Sequence, residues 1–260
     1  MKSLQIIAGN FFNAFYQQYW TQMDDVHDIS NLSIDEAYAV QNLVTKMRLN
    51  LGESVVGYKI GCTSRAIRAQ FGLNEPINGK LFNPRIYNED VSLNLNEYVD
   101  CAIEPEIVLK IGKTLVGEDL SDEKLLDAIE YVSPGIELHN FRFWNQPPTV
   151  QELICSGGIH AGLVVGNQEI SPHALSFKDE VFKVYKNNKL VTSAQAIEIM
   201  GGPLHSLRWL VSFLTRKKLS LEKGSLVIPG SPTELINIET NTELTVSIDH
   251  VGSVTAFFEM

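Results

Sequence analysis

Along the first fifty residues, apolar positions recur at helical rather than alternating spacing. Ile6, Ile7, Phe11, Ala14 and Phe15 mark one run, and Ser33-Ile34-Asp35-Glu36 opens a second, with a capping-box signature, that continues through Leu43 to Met47. The polar stretch between them, Trp20 to Leu32, predicts a loop. From Val55 the pattern changes to short apolar runs bounded by glycine. Val55 to Gly61 predicts a strand with Tyr58 and Ile60 on one face and Gly57, Lys59 and Gly61 on the other. Short helices are expected over 64–71 and 122–129, and an amphipathic helix over 204–214 behind Gly201-Gly202-Pro203. Residues 72–84 are expected to be turn-rich and 131–138 to give a turn and then a strand, and further strands are expected over 163–165, 181–190 (with a polar turn near Asn187-Asn188), 224–231 and 243–258. Helices do not alternate regularly with these strands, so a doubly wound parallel sheet is disfavoured. The pattern divides into a helical segment over 1–54 and one β-rich domain over 55–260, an α+β chain.

One apolar run carries two acids. In Ala102-Ile103-Glu104-Pro105-Glu106-Ile107-Val108-Leu109 a strand would set Glu104 and Glu106 side by side, with Ile103, Ile107 and Leu109 facing the other way. Two anions confined away from water need an offset: a proton, a basic side chain or a cation. A site offering only oxygen suits Mg²⁺ or Mn²⁺. Pro105 cannot donate to a ladder and marks an edge or a bulge. The alternative is that Ala102, Glu104, Glu106, Val108 and Lys110 form the wet face of a half-buried strand. Glu137, between Ile136 and Leu138, adds a third acid in a strand-like setting. Lys59, flanked by glycines on its own face, has open space beside it where a ligand or another backbone approaches, or else it snorkels to water from a weakened edge.

Composition narrows the partners. The 260 residues are 44% apolar and 20% charged, with a formal net charge of −10, which offers no basic excess for a nucleic-acid backbone. Cys62, Cys101 and Cys155 are odd in number and widely spaced, as in a reducing compartment rather than a disulfide framework. The opening residues lack the long apolar core of a secretory signal, and no run of about 20 apolar residues follows, so the expectation is a soluble cytoplasmic protein without a membrane partner. Cys155 to Gly162 is glycine-rich but is neither a P-loop nor a nucleophile elbow.

Several short motifs, taken together and in order, resemble the fumarylacetoacetate hydrolase superfamily in its 2-keto-4-pentenoate hydratase and 4-oxalocrotonate decarboxylase branch. They are Gly57-Tyr58-Lys59-Ile60-Gly61-Cys62-Thr63-Ser64, Glu104-Pro105-Glu106, Pro134-Gly135-Ile136-Glu137 with Arg142, Gly202-Pro203-Leu204 with Trp209-Leu210, Pro229-Gly230-Ser231 and Gly252-Ser253-Val254. The resemblance implies a mixed β-roll with an N-terminal helical segment and assembly as a homo-oligomer. It implies Glu104, Glu106 and Glu137 as ligands of a divalent metal, Lys59 as the catalytic residue, and Arg142, Ser156 and Ser231 as contacts of a small 2-oxo acid. There are two departures. Hydratase-type members commonly carry an acid in the stretch matching Pro76-Ile77-Asn78-Gly79, where this chain has none and instead matches the decarboxylase-like Pro-Ile-x-Gly pattern. The family's Asp-Asn-Ala-Ser-Ser stretch is replaced around Glu152-Leu153-Ile154-Cys155-Ser156.

Other reactive residues read as structural. Cys62 follows the lysine strand without a catalytic partner and is expected to pack as a small hydrophobe. His139 is either a fourth ligand or a polar neighbour of Glu137, while His160 and the Asp249-His250 pair are taken as structural or exposed. The functional expectation is a metal-dependent lyase that hydrates a short 2-oxo or 2-hydroxydienoic acid. The alternatives are a decarboxylase of the 4-oxalocrotonate type, or an impaired homologue that binds a small acid or a partner subunit.

Overall fold

A computed structural model describes residues 4–17, 29–141 and 147–260. Helix α1 (Leu4–Gln17) and helix α2 (Ile34–Asn50) precede strand β1 (Ser54–Gly61), the short helix α3 (Arg65–Gln70), β2 (Ile77–Asn83), β3 (Ile86–Asn88) and β4 (Val91–Asn94). Then come β5 (Cys101–Ile111), α4 (Asp122–Leu126), β6 (Ile129–Asn140), α5 (Val150–Cys155) and β7 (His160–Val165). The chain ends with β8 (Val181–Lys186), β9 (Lys189–Gln195), α6 (Pro203–Arg216), β10 (Leu226–Ile228), β11 (Ile236–Asn237), β12 (Thr242–Ile248) and β13 (Gly252–Glu259).

Local chemistry accounts for most of these boundaries. Ser33 Oγ accepts from the Glu36 N–H at 3.2 Å and Glu36 accepts from the Ser33 N–H at 2.8 Å, so the capping box closes at both ends. Asn187 and Asn188 both adopt positive φ, the backbone a tight hairpin turn demands, and the expected strand over 181–190 becomes the β8–β9 pair. Helix α4 stops earlier than its pattern suggests because the Ala128 carbonyl accepts from Gly112 and Lys113, which draws the chain into β6. The stretch expected as a polar loop lies outside the described residues from 18 to 28. At its end Ile29 and Leu32 are buried rather than exposed.

The strands form two sheets. The larger runs β2-β1-β10-β5-β6-β7-β3, with β11 also on β5, and the smaller runs β4-β13-β12-β8-β9. The larger is mixed, with β1 parallel to β10 and β3 parallel to β7 among antiparallel neighbours. Its spine is the long antiparallel pair β5 and β6, in continuous register from Cys101 opposite Asn140 to Lys110 opposite Tyr131. The principal core joins both sheets and the apolar face of α6, bringing Ile103, Ile107 and Leu109 together with Val246, Val254, Leu207 and Leu210. A second core lies under α1 and α2, where Ile7, Phe11 and Val40 meet Ile77, Ile154 and Ile159. This is the α+β arrangement expected from the sequence. Among the described residues no helix is long and apolar enough to cross a membrane.

Pro105 sits without a bulge, since the β5–β6 register passes through it unbroken. On the other side of β5, β11 pairs at Ala102 and Ile103 and β10 at Leu109 and Lys110. Proline therefore falls in a local gap on that side of the strand, where its missing N–H removes no ladder bond. The wet-face alternative fails: Glu106 and Val108 are completely buried, and only Glu104 of the pair reaches solvent.

Candidate metal centre

The register of β5 on β6 puts Glu104 directly opposite Glu137 and Glu106 opposite Gly135. Because side chains alternate along each strand, all three carboxyl groups leave the same face of the sheet, and His139, two residues after Glu137, follows them. Lys59 comes from β1, joined to β5 through β10. Its Nζ lies 2.8 Å from Glu137 Oε1 and donates to the Gly158 carbonyl at 3.2 Å, so it does not snorkel to water. The glycines around it mark the approach of backbone. A Cβ on Gly79 would stand 2.2 Å from the Gly157 carbonyl oxygen and 3.1 Å from Lys59 Cγ, and one on Gly158, at φ +74, would stand 3.2 Å from Lys59 Nζ.

Two histidines complete the cluster. His139 Nε2 lies 3.1 Å from Glu104 Oε2 and 3.5 Å from Glu137 Oε2, while His160 Nδ1 bonds Glu137 Oε1 at 2.8 Å. Glu104, Glu137 and His139 offer ligand atoms that all fall within 4.8 Å of one another. Glu106 stands outside that group. Its Oε2 accepts from the Gly230 N–H at 3.1 Å and its Oε1 has no partner.

Burial and charge divide these acids. Burial, together with the neighbouring Glu137 and Glu104, lifts the Glu106 carboxyl well above the carboxylate range, against the pull of Lys59 and the Gly230 N–H. Burial also acts on Glu137, but Lys59, His139 and the His160 hydrogen bond outweigh it and hold that carboxyl well below the range. Lys59 is pushed down by burial and more than restored by Glu137 and Glu104, ending above its ordinary value. His139 is likewise raised by Glu137 and Glu104 against burial, whereas burial prevails at His160 and lowers it to about 4.

The donor set fits a hard divalent cation. Three carboxyl groups share this face, and the buried oxygens Glu106 Oε1 and Glu137 Oε2 have no hydrogen-bond partner, His139 Nε2 standing 3.5 Å from the latter, which is costly unless something positive or a donor meets them. The other expected site residues stand differently. Arg142 lies outside the described residues. The Ser156 hydroxyl donates to the Leu153 carbonyl and accepts from the Ile159 N–H, while Ser231, beside Gly230, exchanges hydrogen bonds with Thr233. Cys62 is half-buried, its thiol pushed up to about 11 by burial, as suits a packing residue. Asp249 pairs with Lys183 in the smaller sheet, away from the cluster. His160, expected from the sequence to be structural or exposed, is buried against Glu137. Its one signal was a histidine between apolar neighbours at the start of a strand, which a packed, hydrogen-bonded histidine produces equally well.

Comparison with known proteins places this arrangement. No protein-family model matches the chain. The 2-keto-4-pentenoate hydratase of Paraburkholderia xenovorans is 27% identical over 229 residues, spanning 88% of this chain and 85% of that protein. The 2-oxo-hept-4-ene-1,7-dioate hydratase of Escherichia coli is 25% identical over 237 residues, 89% of each. Among solved structures, the 4-oxalocrotonate decarboxylase of Pseudomonas putida G7, complexed with magnesium and adipate, matches at TM-score 0.93 and 22% identity, over 99% of this chain and 97% of that one. A fumarylpyruvate hydrolase of Pseudomonas aeruginosa, complexed with Mn²⁺ and pyruvate, matches at TM-score 0.61 and 14% identity over 78% and 88%. The fold is that of the fumarylacetoacetate hydrolase superfamily. In sequence the chain is similar to 2-keto-4-pentenoate hydratases, and in fold to a 4-oxalocrotonate decarboxylase, which supports the hydratase and decarboxylase branch of that superfamily.

Proposed function

We propose that the protein is a metal-dependent lyase of the 2-keto-4-pentenoate hydratase type, acting on a short 2-oxo or 2-hydroxydienoic acid in the cytoplasm as a homo-oligomer. The observation that carries this reading is the convergence of Glu104, Glu106 and Glu137 on one sheet face with the Lys59 ammonium among them. These three carboxylates would hold Mg²⁺ or Mn²⁺, which, when bound, supplies a Lewis acid and a template for a chelating 2-oxo acid. Three carboxylates and one divalent cation leave a formal charge of −1, which Lys59 offsets. Lys59 Nζ, braced between Glu137 Oε1 and the Gly158 carbonyl, gives or retakes a proton as the substrate passes between its enol and keto forms. Burial of Glu106 and Glu137 keeps bulk water from the inner part of the cluster, so charge developing beside them is felt at lower dielectric than at the rim, where Glu104 reaches solvent. Ser231, close to the Glu106–Gly230 contact, is assigned to substrate binding with Arg142 and Ser156.

One observation favours decarboxylation as a second reading. In the β1–β2 register Ile77 lies opposite Gly61 and Gly79 opposite Lys59, so residue 77 shares the lysine's face while Asn78 turns to the other. That position is a buried isoleucine, and it offers no base to activate water. Loss of carbon dioxide from a 2-oxo acid needs an electron sink but no water. The test is turnover with Mg²⁺ or Mn²⁺ of 2-hydroxypenta-2,4-dienoate and of 4-oxalocrotonate, following dienol absorbance and released carbon dioxide. Metal-dependent dienol loss without gas supports hydration, and gas from oxalocrotonate supports decarboxylation. Inertness toward both would leave the binding of a small acid as the function.

A further inference from the structure

Glu137 uses its two oxygens unequally. Oε1 receives both Lys59 Nζ and His160 Nδ1, each at 2.8 Å, while buried Oε2 has no hydrogen-bond partner. An ionised carboxylate has no proton to offer, so His160 must donate from Nδ1, and a neutral imidazole then presents Nε2 as an acceptor. Two donors fixed on one oxygen orient the carboxyl plane and leave the other oxygen, with His139 Nε2 3.5 Å away, without a hydrogen bond and so open to a ligand. His160 is itself anchored by its strand, 4% exposed at the start of β7 and paired to His139 of β6.

The far side of the ring carries a second observation. Nε2 is buried without a partner, and His160 lines a cavity of about 30 Å³ together with Gln41, Thr45, Lys80, Ser156 and Gly157. That volume admits one or two water molecules, and although Val44, Phe82 and Cys155 form part of the lining, Gln41, Thr45, Lys80 and His160 bring polar groups to it. Lys80 Nζ already bonds Asn42 Oδ1 and Thr45 Oγ1, and an ammonium has a third proton to give. A water held between Lys80 and His160 Nε2 would satisfy the acceptor and fix the tautomer.

We infer that His160 is a positioning residue for the metal centre: its Nδ1–H clamps Glu137 Oε1 so that Oε2 faces the cation, and its Nε2 is held by water in the cavity beneath α2. The inference rests on Glu137 being a ligand, as proposed above. Outer-shell partners of this kind are worth about 10- to 100-fold in metal affinity.

Two conservative variants separate the two ring nitrogens. The amide of His160→Asn reaches the place of Nδ1, and that of His160→Gln reaches the place of Nε2. Mg²⁺ and Mn²⁺ titration by calorimetry, without substrate, reads affinity apart from turnover, and thermal melting of the metal-free proteins reads packing. The expected result is that His160→Gln binds the cation about 10-fold or more weakly, while His160→Asn stays within about threefold of wild type. Equal affinity in all three proteins, or a loss greater in His160→Asn, would overturn the inference, as would losses that simply follow the melting temperatures. Should wild type itself bind no divalent cation, the metal-centre reading falls first and the inference with it.

Discussion

Glu106 differs from the two neighbouring acids in its hold on a proton, which bears on the metal binding proposed above. Buried beside Glu137 and Glu104, it holds a proton at pH values where an ordinary carboxyl has lost one, whereas Glu137, facing Lys59, stays ionised at pH values where an ordinary carboxyl is protonated. A ligating carboxylate must be deprotonated, so cation binding is expected to expel a proton from Glu106 and apparent affinity to rise with pH. Calorimetry in buffers of different ionisation enthalpy reads this directly, and identical heats in all buffers would contradict it. Glu106→Gln should abolish the proton release and cost more affinity than the His160 variants, with the metal-free protein folded as before. The Lys59–Glu137 pair has its own pH window. Glu137 is depressed below 4.5 and Lys59 raised above 10.5, so the pair's stabilisation is complete between those values. It is lost as acid passes through the folded Glu137 value or alkali through that of Lys59.

At the scale of elements, the site depends on strands brought close by glycine. Gly79 of β2 lets the turn at Gly157-Gly158 lie against β1, and that turn supplies the carbonyl that holds Lys59. Gly79→Ala would drive a Cβ into the Gly157 carbonyl, and backbone cannot swing aside as a side chain does. A cost of about 1–3 kcal/mol is expected by urea unfolding, with turnover falling further than stability alone accounts for. A wild-type rate in this variant would detach the turn from the function of Lys59. The same close approach explains why Lys59 allowed two readings from sequence. Flanking glycines mark space beside a lysine, and only the neighbouring strand and turn reveal that backbone fills it.

Across the whole molecule, the N-terminal helices are stitched to the β-rich remainder by buried polar groups as well as by apolar packing. Helix α2 buries Gln41, Thr45 and Arg48 at positions where amphipathic patterning leads one to expect apolar residues. Gln41 Nε2 donates to the carbonyls of Asn78 on β2 and Ile154 on α5, and Arg48 pairs with Glu53 while stacking on Phe15 and Phe82. Gln41→Leu keeps the bulk but leaves two buried carbonyls without a donor, and about 1–3 kcal/mol of destabilisation is expected for each. Denaturant midpoints check this; an unchanged midpoint would show that water replaces the amide. The substitution lies against the cavity beside His160, so the Mg²⁺ titration described for that residue also tells whether a loosened α2 reaches the metal centre.

The sequence by itself determined most of the elements and the placing of Glu104 and Glu106 on one face. Period-two alternation is a local property, so Glu104 and Glu106 had to share a face wherever β5 lay, and capping residues and Asn-Asn turns act within a few residues of themselves. The family resemblance implied that Glu137 joins them as a ligand. Tertiary structure decided what alternation cannot encode: that this face is inside and not wet, that Glu137 stands directly opposite Glu104, that Lys59 reaches in from two strands away, and that His139 and His160 close around the carboxyls. Those outcomes depend on strand order and register between segments distant in the chain. Burial then splits three chemically identical acids into one raised, one depressed and one at the rim, because desolvation and Coulomb energy are set by three-dimensional neighbours.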